Sequence, residues 1–178
     1  HQPRRQRQMC IRDSIKIKEF FSLTCGHCSN FHIKTLPQLK KKYIDTGKVQ
    51  LEFIDYPLDR LAVIAATLAR SIPTKDGYIE AVSILLKKQK QWAYSKNPLN
   101  ELQSIAKLFG ISSKKFNDIS QNIPLMQEIV TKMEKESKNF DINSTPTFIV
   151  NDKYKISGAL SFKDFEKELL KSINAKKS

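Results

Sequence analysis

The sequence predicts an α/β fold made of two halves around a helical insertion. A strand–helix–strand run fills residues 15–57, and a hairpin followed by a helix fills 141–174. Between them, residues 58–140 show helical periodicity and no convincing strand. At the first strand-to-helix junction stands SLTCGHCSNFH (22–32), with two cysteines separated by a glycine and a histidine.

Residues 15–23 (IKIKEFFSL) start with alternation and end in an apolar run, the pattern of a central strand. From Cys28, CSNFHIKTLPQLKKKYI reads as a helix with Phe31, Leu36, Leu39 and Tyr43 toward one side. Pro37 lacks an N–H and should kink it. Asp45-Thr46-Gly47 ends the helix, and residues 49–56 (VQLEFIDY) form a second strand stopped by Pro57. Such a crossover is right-handed and its strands are parallel. Leu61, Ile64, Leu68 and Ile72 then recur at helical spacing. Further helices are expected near 76–92, 98–109, 112–121 and 124–139, punctuated by Pro73, Pro98, Gly110 and Pro124. An insertion of about 80 residues is close to a small domain in size. The sheet resumes with TFIV (147–150) and KYKI (153–156) around the turn signal Asn151-Asp152. Ser161 can cap a last helix carrying Phe162, Phe165, Leu169 and Ile173 on one face. The lysine-rich end, 175–178, is a frayed tail.

The opening fourteen residues, HQPRRQRQMCIRDS, show no apolar periodicity and read as a non-native or disordered tail. RRQRQMCIRD (4–13) resembles the in-frame translation of a sequencing adapter, so the tail is not expected to belong to the fold. Without its four arginines and one aspartate the net charge falls from +13 to +10. Cys10 leaves with it, so the remaining cysteines are Cys25 and Cys28 and the remaining histidines His27 and His32. The chain is long enough to bury a proper core. Its lysines are spread among acidic and polar neighbours, as on solvated helix faces, and no nucleic-acid motif accompanies them. Nucleic acid is therefore not an expected partner. No run of about 18 apolar residues occurs, so no membrane span is expected. A single close cysteine pair suits an exported redox catalyst whose fold does not depend on disulfides. A signal peptide in the complete gene and a periplasmic location are the expectation.

Three chemistries compete for Cys25 and Cys28. A structural disulfide would close a very short loop and constrain the unfolded chain little. A structural zinc site needs four ligands, and beyond this pair only His27 and His32 are available; no metal is expected. The third is thiol–disulfide exchange. Cys25 falls where a strand ends and a helix begins, so free N–H groups and the positive dipole end favour its thiolate. His27 can add positive charge and a hydrogen bond. Such surroundings lower a cysteine pKa from about 8.5 toward ~3.5–7. A stabilised Cys25 thiolate makes the disulfide more oxidising and Cys25 a better leaving group. Cys28, one turn inward, would resolve or reform the bridge.

EFFSLTCGHCSNFH, TLPQLKKKYIDTGKV, YPLDRLAVIAATLAR, STPTFIVN and ISGALSF, spread in order over 19–162, resemble the DsbA-like thiol:disulfide oxidoreductases, particularly the alphaproteobacterial DsbA and Com1-like branch. The resemblance implies a thioredoxin-like fold with an inserted helical domain. It implies an oxidase that donates the Cys25–Cys28 disulfide to exported cysteine-containing proteins. Reoxidation would come from a membrane DsbB-like quinone-linked partner, with no cofactor beyond the dithiol itself. It also implies that Pro146 follows a cis bond against the C-x-x-C, with Thr145 offering backbone groups to an extended substrate. Glu19 matches the buried glutamate that relays protons to Cys28; the alternative on the residues alone is a polar strand position facing water. Glu52 is a weaker candidate for the same environment, and no basic partner for Glu19 is identifiable. His32 and Trp92 read as helix-packing residues. One departure concerns Gly26: Gly26-His27 stands where DsbA typically has Pro-His and is the dipeptide of protein disulfide isomerase. Isomerase or reductase activity thus stays open, as do a non-catalytic Com1-like surface or binding role and a zinc-binding module.

Overall fold

The computed structural model describes residues 14–174. The adapter-like stretch 4–13 and the tail 175–178 lie outside the described residues. Ser14, grouped with the tail on sequence, is described and buried.

Four strands form one sheet: β1 (Ile15–Phe21), β2 (Val49–Asp55), β3 (Thr147–Val150) and β4 (Tyr154–Ser157), in the order β2-β1-β3-β4. β1 runs parallel to β2 and antiparallel to β3, so it is central and covered on both faces. That explains why IKIKEFFSL loses its alternation: Glu19, Phe20 and Phe21 are all buried. β3 and β4 are joined by residues 151–153, where Asn151 and Asp152 are both left-handed (φ 50° and 56°), as the central residues of a type I′ turn are, and the Lys153 N–H bonds the Val150 carbonyl at 3.1 Å.

Helix α1 (Gly26–Lys34) leaves β1 through a short turn. Pro37 does more than kink it. The helix stops at Thr35, restarts as α2 (Leu36–Leu39) with the proline in its first turn, and widens to a π-helical segment, Lys40–Ile44. A proline is tolerated at a helix start because its missing N–H has no partner there in any case. Thr35 Oγ1 fixes the break by donating to the Leu160 carbonyl at 2.7 Å. Phe31, Leu39 and Tyr43 pack with Phe148 and with Phe165 and Leu169 of the last helix, α9 (Phe162–Asn174).

Between β2 and β3 lie α3 (Arg60–Arg70), α4 (Lys75–Lys87), α5 (Gln89–Trp92), α6 (Pro98–Lys107), α7 (Ser113–Ser120) and α8 (Ile123–Phe140). Asp59, Thr74, Ser112 and Asn122 cap α3, α4, α7 and α8 by accepting a backbone N–H. The single helix expected over 76–92 is interrupted at Lys88 (φ −93°, ψ 9°). The break turns Gln89 and Trp92 inward, and Trp92 Nε1 donates to the Leu85 carbonyl at 2.8 Å. Arg70 ties α3 to β2, donating through Nε to Asp55 at 2.7 Å and through Nη2 to the Phe53 carbonyl at 3.2 Å. One apolar cluster takes in Phe21, Leu23 and Cys28 together with Leu68, Leu85, Trp92 and Leu102. The end of β1 and the start of α1 therefore lie at the seam between sheet and insertion. Among the described residues no helix is long and apolar enough to cross a membrane.

Candidate active site

Cys25 is the N-cap of α1. Its backbone N–H bonds the Ser22 carbonyl at 3.1 Å, and its sulfur accepts the Cys28 N–H at 3.4 Å. A sulfur at this position meets the unpaired N–H groups of the first turn. On its other side, Cys25 Sγ lies 3.5 Å from the Thr145 carbonyl oxygen. Thr145 is held by the turn into β3, where the Thr145–Pro146 bond is cis, Thr147 Oγ1 donates to the Ser144 carbonyl and Gly158 N–H bonds the Pro146 carbonyl. Thr145 and Pro146 are thus brought to the cysteine pair from a distant part of the chain.

The two sulfurs, unbonded to each other in this structure, differ sharply in environment. The Cys25 thiol is lowered from its ordinary value near 9 to about 5, first by the hydrogen bond from the Cys28 side chain. Burial opposes this, while the Thr145 side chain and the backbone N–H groups of Cys28 and His27 assist it. His27 itself is exposed, and what it supplies to Cys25 is its backbone N–H. Cys28 is fully buried. Burial first, then the hydrogen bond and charge of Cys25, push its thiol far above the ordinary range, and the charge of Glu19 adds to the rise. The arrangement therefore holds an ionised outer sulfur and a protonated inner one.

Gly26 is exposed. A Cβ there would lie 3.7 Å from the Tyr94 hydroxyl and 4.0 Å from Gln89 Oε1, ordinary contacts. Gln89, buried in the insertion, donates through Nε2 to the carbonyls of Leu23 (2.7 Å) and Cys25 (2.9 Å), so the active-site turn is anchored by the helical half. Sequence reading missed it, because a glutamine in KKQKQW looks like one more solvated polar residue.

Two expectations need correction. His32, read as a packing residue, is the partner of the completely buried Glu19: Nε2 lies 2.8 Å from Glu19 Oε1. His32 is thus a polar member of the site rather than a packing residue. The spacing carried the signal, since Cys28 and His32 stand at i and i+4 on one helix face. Glu52 does not share this environment. It is exposed on the edge strand β2, 3.6 Å from Lys132. Among the described residues no group of three or more histidine, cysteine, aspartate or glutamate side chains is gathered to hold a metal ion.

The thioredoxin family profile matches residues 14–171. A Rickettsia typhi protein described as a protein-disulfide oxidoreductase is 31% identical over 140 residues, 79% of this chain and 52% of that protein. The thiol:disulfide interchange protein DsbA of Buchnera aphidicola is 25% identical over 158 residues, 85% of this chain and 72% of its own. The crystal structure of Wolbachia pipientis alpha-DsbA1 superposes with a TM-score of 0.81 at 30% identity, covering 90% of this chain and 86% of that one. The chain spans about half the length of the curated rickettsial relatives it matches. It belongs to the thioredoxin family, among the DsbA-like thiol:disulfide oxidoreductases of the alphaproteobacterial branch.

Proposed function

We propose that the protein is a thiol-disulfide oxidase that passes the Cys25–Cys28 disulfide to exported cysteine-containing proteins. The observation that carries this reading is the opposed acidity of the two sulfurs, with Cys25 lowered to about 5 and Cys28 raised. A substrate thiolate attacks Cys25 Sγ, the Cys25–Cys28 bond breaks, and Cys28 leaves and takes up a proton. A second substrate thiolate then attacks the substrate sulfur of the mixed disulfide, and Cys25 leaves as a stable thiolate. Stabilising that thiolate favours the reduced protein and so makes the disulfide oxidising. In this reading Thr145 and Pro146 receive the extended substrate beside Cys25, and Gly26 leaves its approach open. Glu19 serves the proton of Cys28, and the exposed His27 edges the site. No cofactor beyond the dithiol is needed. Location in the periplasm and reoxidation by a DsbB-like quinone-linked membrane partner complete the proposal.

The test is the reduction potential of the Cys25–Cys28 couple in glutathione buffers. A value toward the DsbA end, about −120 mV, supports the oxidase, while one near about −270 mV overturns it in favour of a reductase. The Gly26-His27 dipeptide favours isomerase as a second reading. Reactivation of a scrambled disulfide protein, without added oxidant, by the reduced enzyme would establish it.

A further inference from the structure

Glu19 and His32 form a buried pair that packing alone does not require. Of the described residues, Glu19 Oε2 is the one buried side-chain nitrogen or oxygen with no hydrogen-bond partner. An unpaired carboxylate oxygen in a buried, aromatic-lined interior is costly, and each such group in a native fold calls for an explanation. Its strand neighbours on both sides are Phe53 and Phe148, and the His32 ring is enclosed by Phe21, Phe31 and Phe53 at centroid distances of 5.3–6.0 Å. A leucine and a phenylalanine would fill that space without buried charge. The one reactive group next to the pair is Cys28, a turn before His32 on the same helix face, whose thiol already feels the charge of Glu19.

We propose that His32 is a positioning and proton-recharging residue: it holds Glu19 through Oε1, leaves Oε2 free toward Cys28, and replaces the proton that Glu19 delivers there. This rests on the exchange chemistry proposed above. When a thiolate attacks Cys25, the Cys25–Cys28 bond breaks and its electron pair goes to Cys28 Sγ. The Glu19–His32 pair gives that sulfur a proton, leaving Cys25 in mixed disulfide and Cys28 as a thiol. In reoxidation the proton returns to the pair as Cys28 attacks. Glu19 has no exposed side-chain surface and His32 has 3%, so protons from water reach the pair through the imidazole. The other titratable groups facing it are few. Tyr78 of α4 interacts with Glu19, but burial holds its phenol well above the ordinary range. Behind it, Asp55 of β2 is engaged by Arg70 of α3. β3 presents Phe148, which carries no charge.

The test uses His32→Gln, Glu19→Gln and the double variant. Glutamine at 32 can still donate to Glu19 Oε1 but cannot carry an exchangeable charge. The rate of reduction of the oxidised protein by glutathione, expressed per glutathione thiolate, is measured from pH 5 to 8. Loss of general-acid assistance should slow His32→Gln and Glu19→Gln by about tenfold or more and flatten the fall of the rate with rising pH. The double variant should be no slower than either single one, because the two act as a unit. The Cys25 thiolate titration, which reports the outer sulfur, should stay near its wild-type midpoint in all three. Wild-type rates and slope in His32→Gln, or losses that multiply in the double variant, would overturn the proposal and leave a structural hydrogen bond. If the wild-type disulfide does not exchange with glutathione at all, the proposed function falls with it.

Discussion

The mouth and the floor of the active site hold the same residue type one helical turn apart and treat it in opposite ways. At the mouth, Cys25 has four stabilising contacts for a charge: the side chains of Cys28 and Thr145, and two backbone N–H groups. At the floor, Cys28 has burial and the negative character of Cys25 and Glu19, all of which favour a thiol. Each sulfur also sets the other, since the inner S–H is the largest stabiliser of the outer thiolate. The difference teaches that polarity across the pair comes from depth rather than from the dipeptide between the cysteines. The helix N-terminus, the turn into β3 and the buried pair beneath α1 together create it.

The largest effect should come from erasing one side of the comparison. Cys25→Ala removes the sulfur of the pair that lies at the mouth, since Cys28 is fully buried. Disulfide transfer to a reduced peptide is expected to fall to the uncatalysed rate. Substantial residual transfer would show that the floor sulfur is accessible and that depth does not separate the two.

Next in size is the anchor of the mouth. Gln89→Leu should keep the bulk of the side chain and lose both donors. The Cys25 carbonyl retains the Ser29 N–H at 3.1 Å, whereas the Leu23 carbonyl loses the bond Gln89 supplies. One buried carbonyl left unpaired costs about 1–3 kcal/mol. Urea denaturation should show a loss of that order, with faster alkylation of the reduced protein at Cys28 as the turn loosens. Unchanged stability would mean that water takes the place of the amide.

How far this site could be read from sequence divides along the same line. β1, α1, β2 and the hairpin are written in local pattern: alternation, a strand-to-helix junction at the cysteines, and Asn151-Asp152 in a left-handed turn. What escaped depends on distance along the chain. Gln89 acts on residues 64 and 66 positions away. Thr145, 120 positions from Cys25, came only through resemblance. Glu19 and Glu52 are glutamates in similar apolar strands, yet one is in a central strand and the other on the edge, and strand order is not a local property. The interruption at Lys88 has neither proline nor glycine to announce it; packing of Trp92 and Gln89 supplies it instead.

A smaller effect concerns pH. The folded-state pKa of Cys25 lies near 5, below its ordinary value near 9, so the thiolate stabilises the reduced fold. The contribution is fully present above the unfolded value, shrinks as pH falls through the window between 9 and 5, and is absent below about 5. The disulfide form has no such group. The denaturation midpoint of reduced protein relative to oxidised should therefore drop as pH is lowered from 8 to 4. Midpoints that move in parallel would place the Cys25 pKa close to its unfolded value.

The smallest expected effect is at His27, and it separates the contribution of the dipeptide from that of depth most directly. On sequence, an imidazole between the cysteines should hold the Cys25 thiolate, and replacing it should raise the pKa and weaken the oxidant. In the structure His27 is exposed, and its contribution to Cys25 is a backbone N–H that any residue but proline provides. His27→Ser keeps that donor. The Cys25 midpoint, read by thiolate absorbance, should then move by less than about one pH unit, equivalent to ~1.4 kcal/mol. The potential should move by less than about 30 mV for two electrons. Cys28→Ala is the matched comparison, since it removes the strongest stabiliser and should raise the Cys25 midpoint well beyond that. A His27→Ser shift as large as that of Cys28→Ala would return the leading role to the imidazole, and polarity across the pair would then be a property of the dipeptide after all.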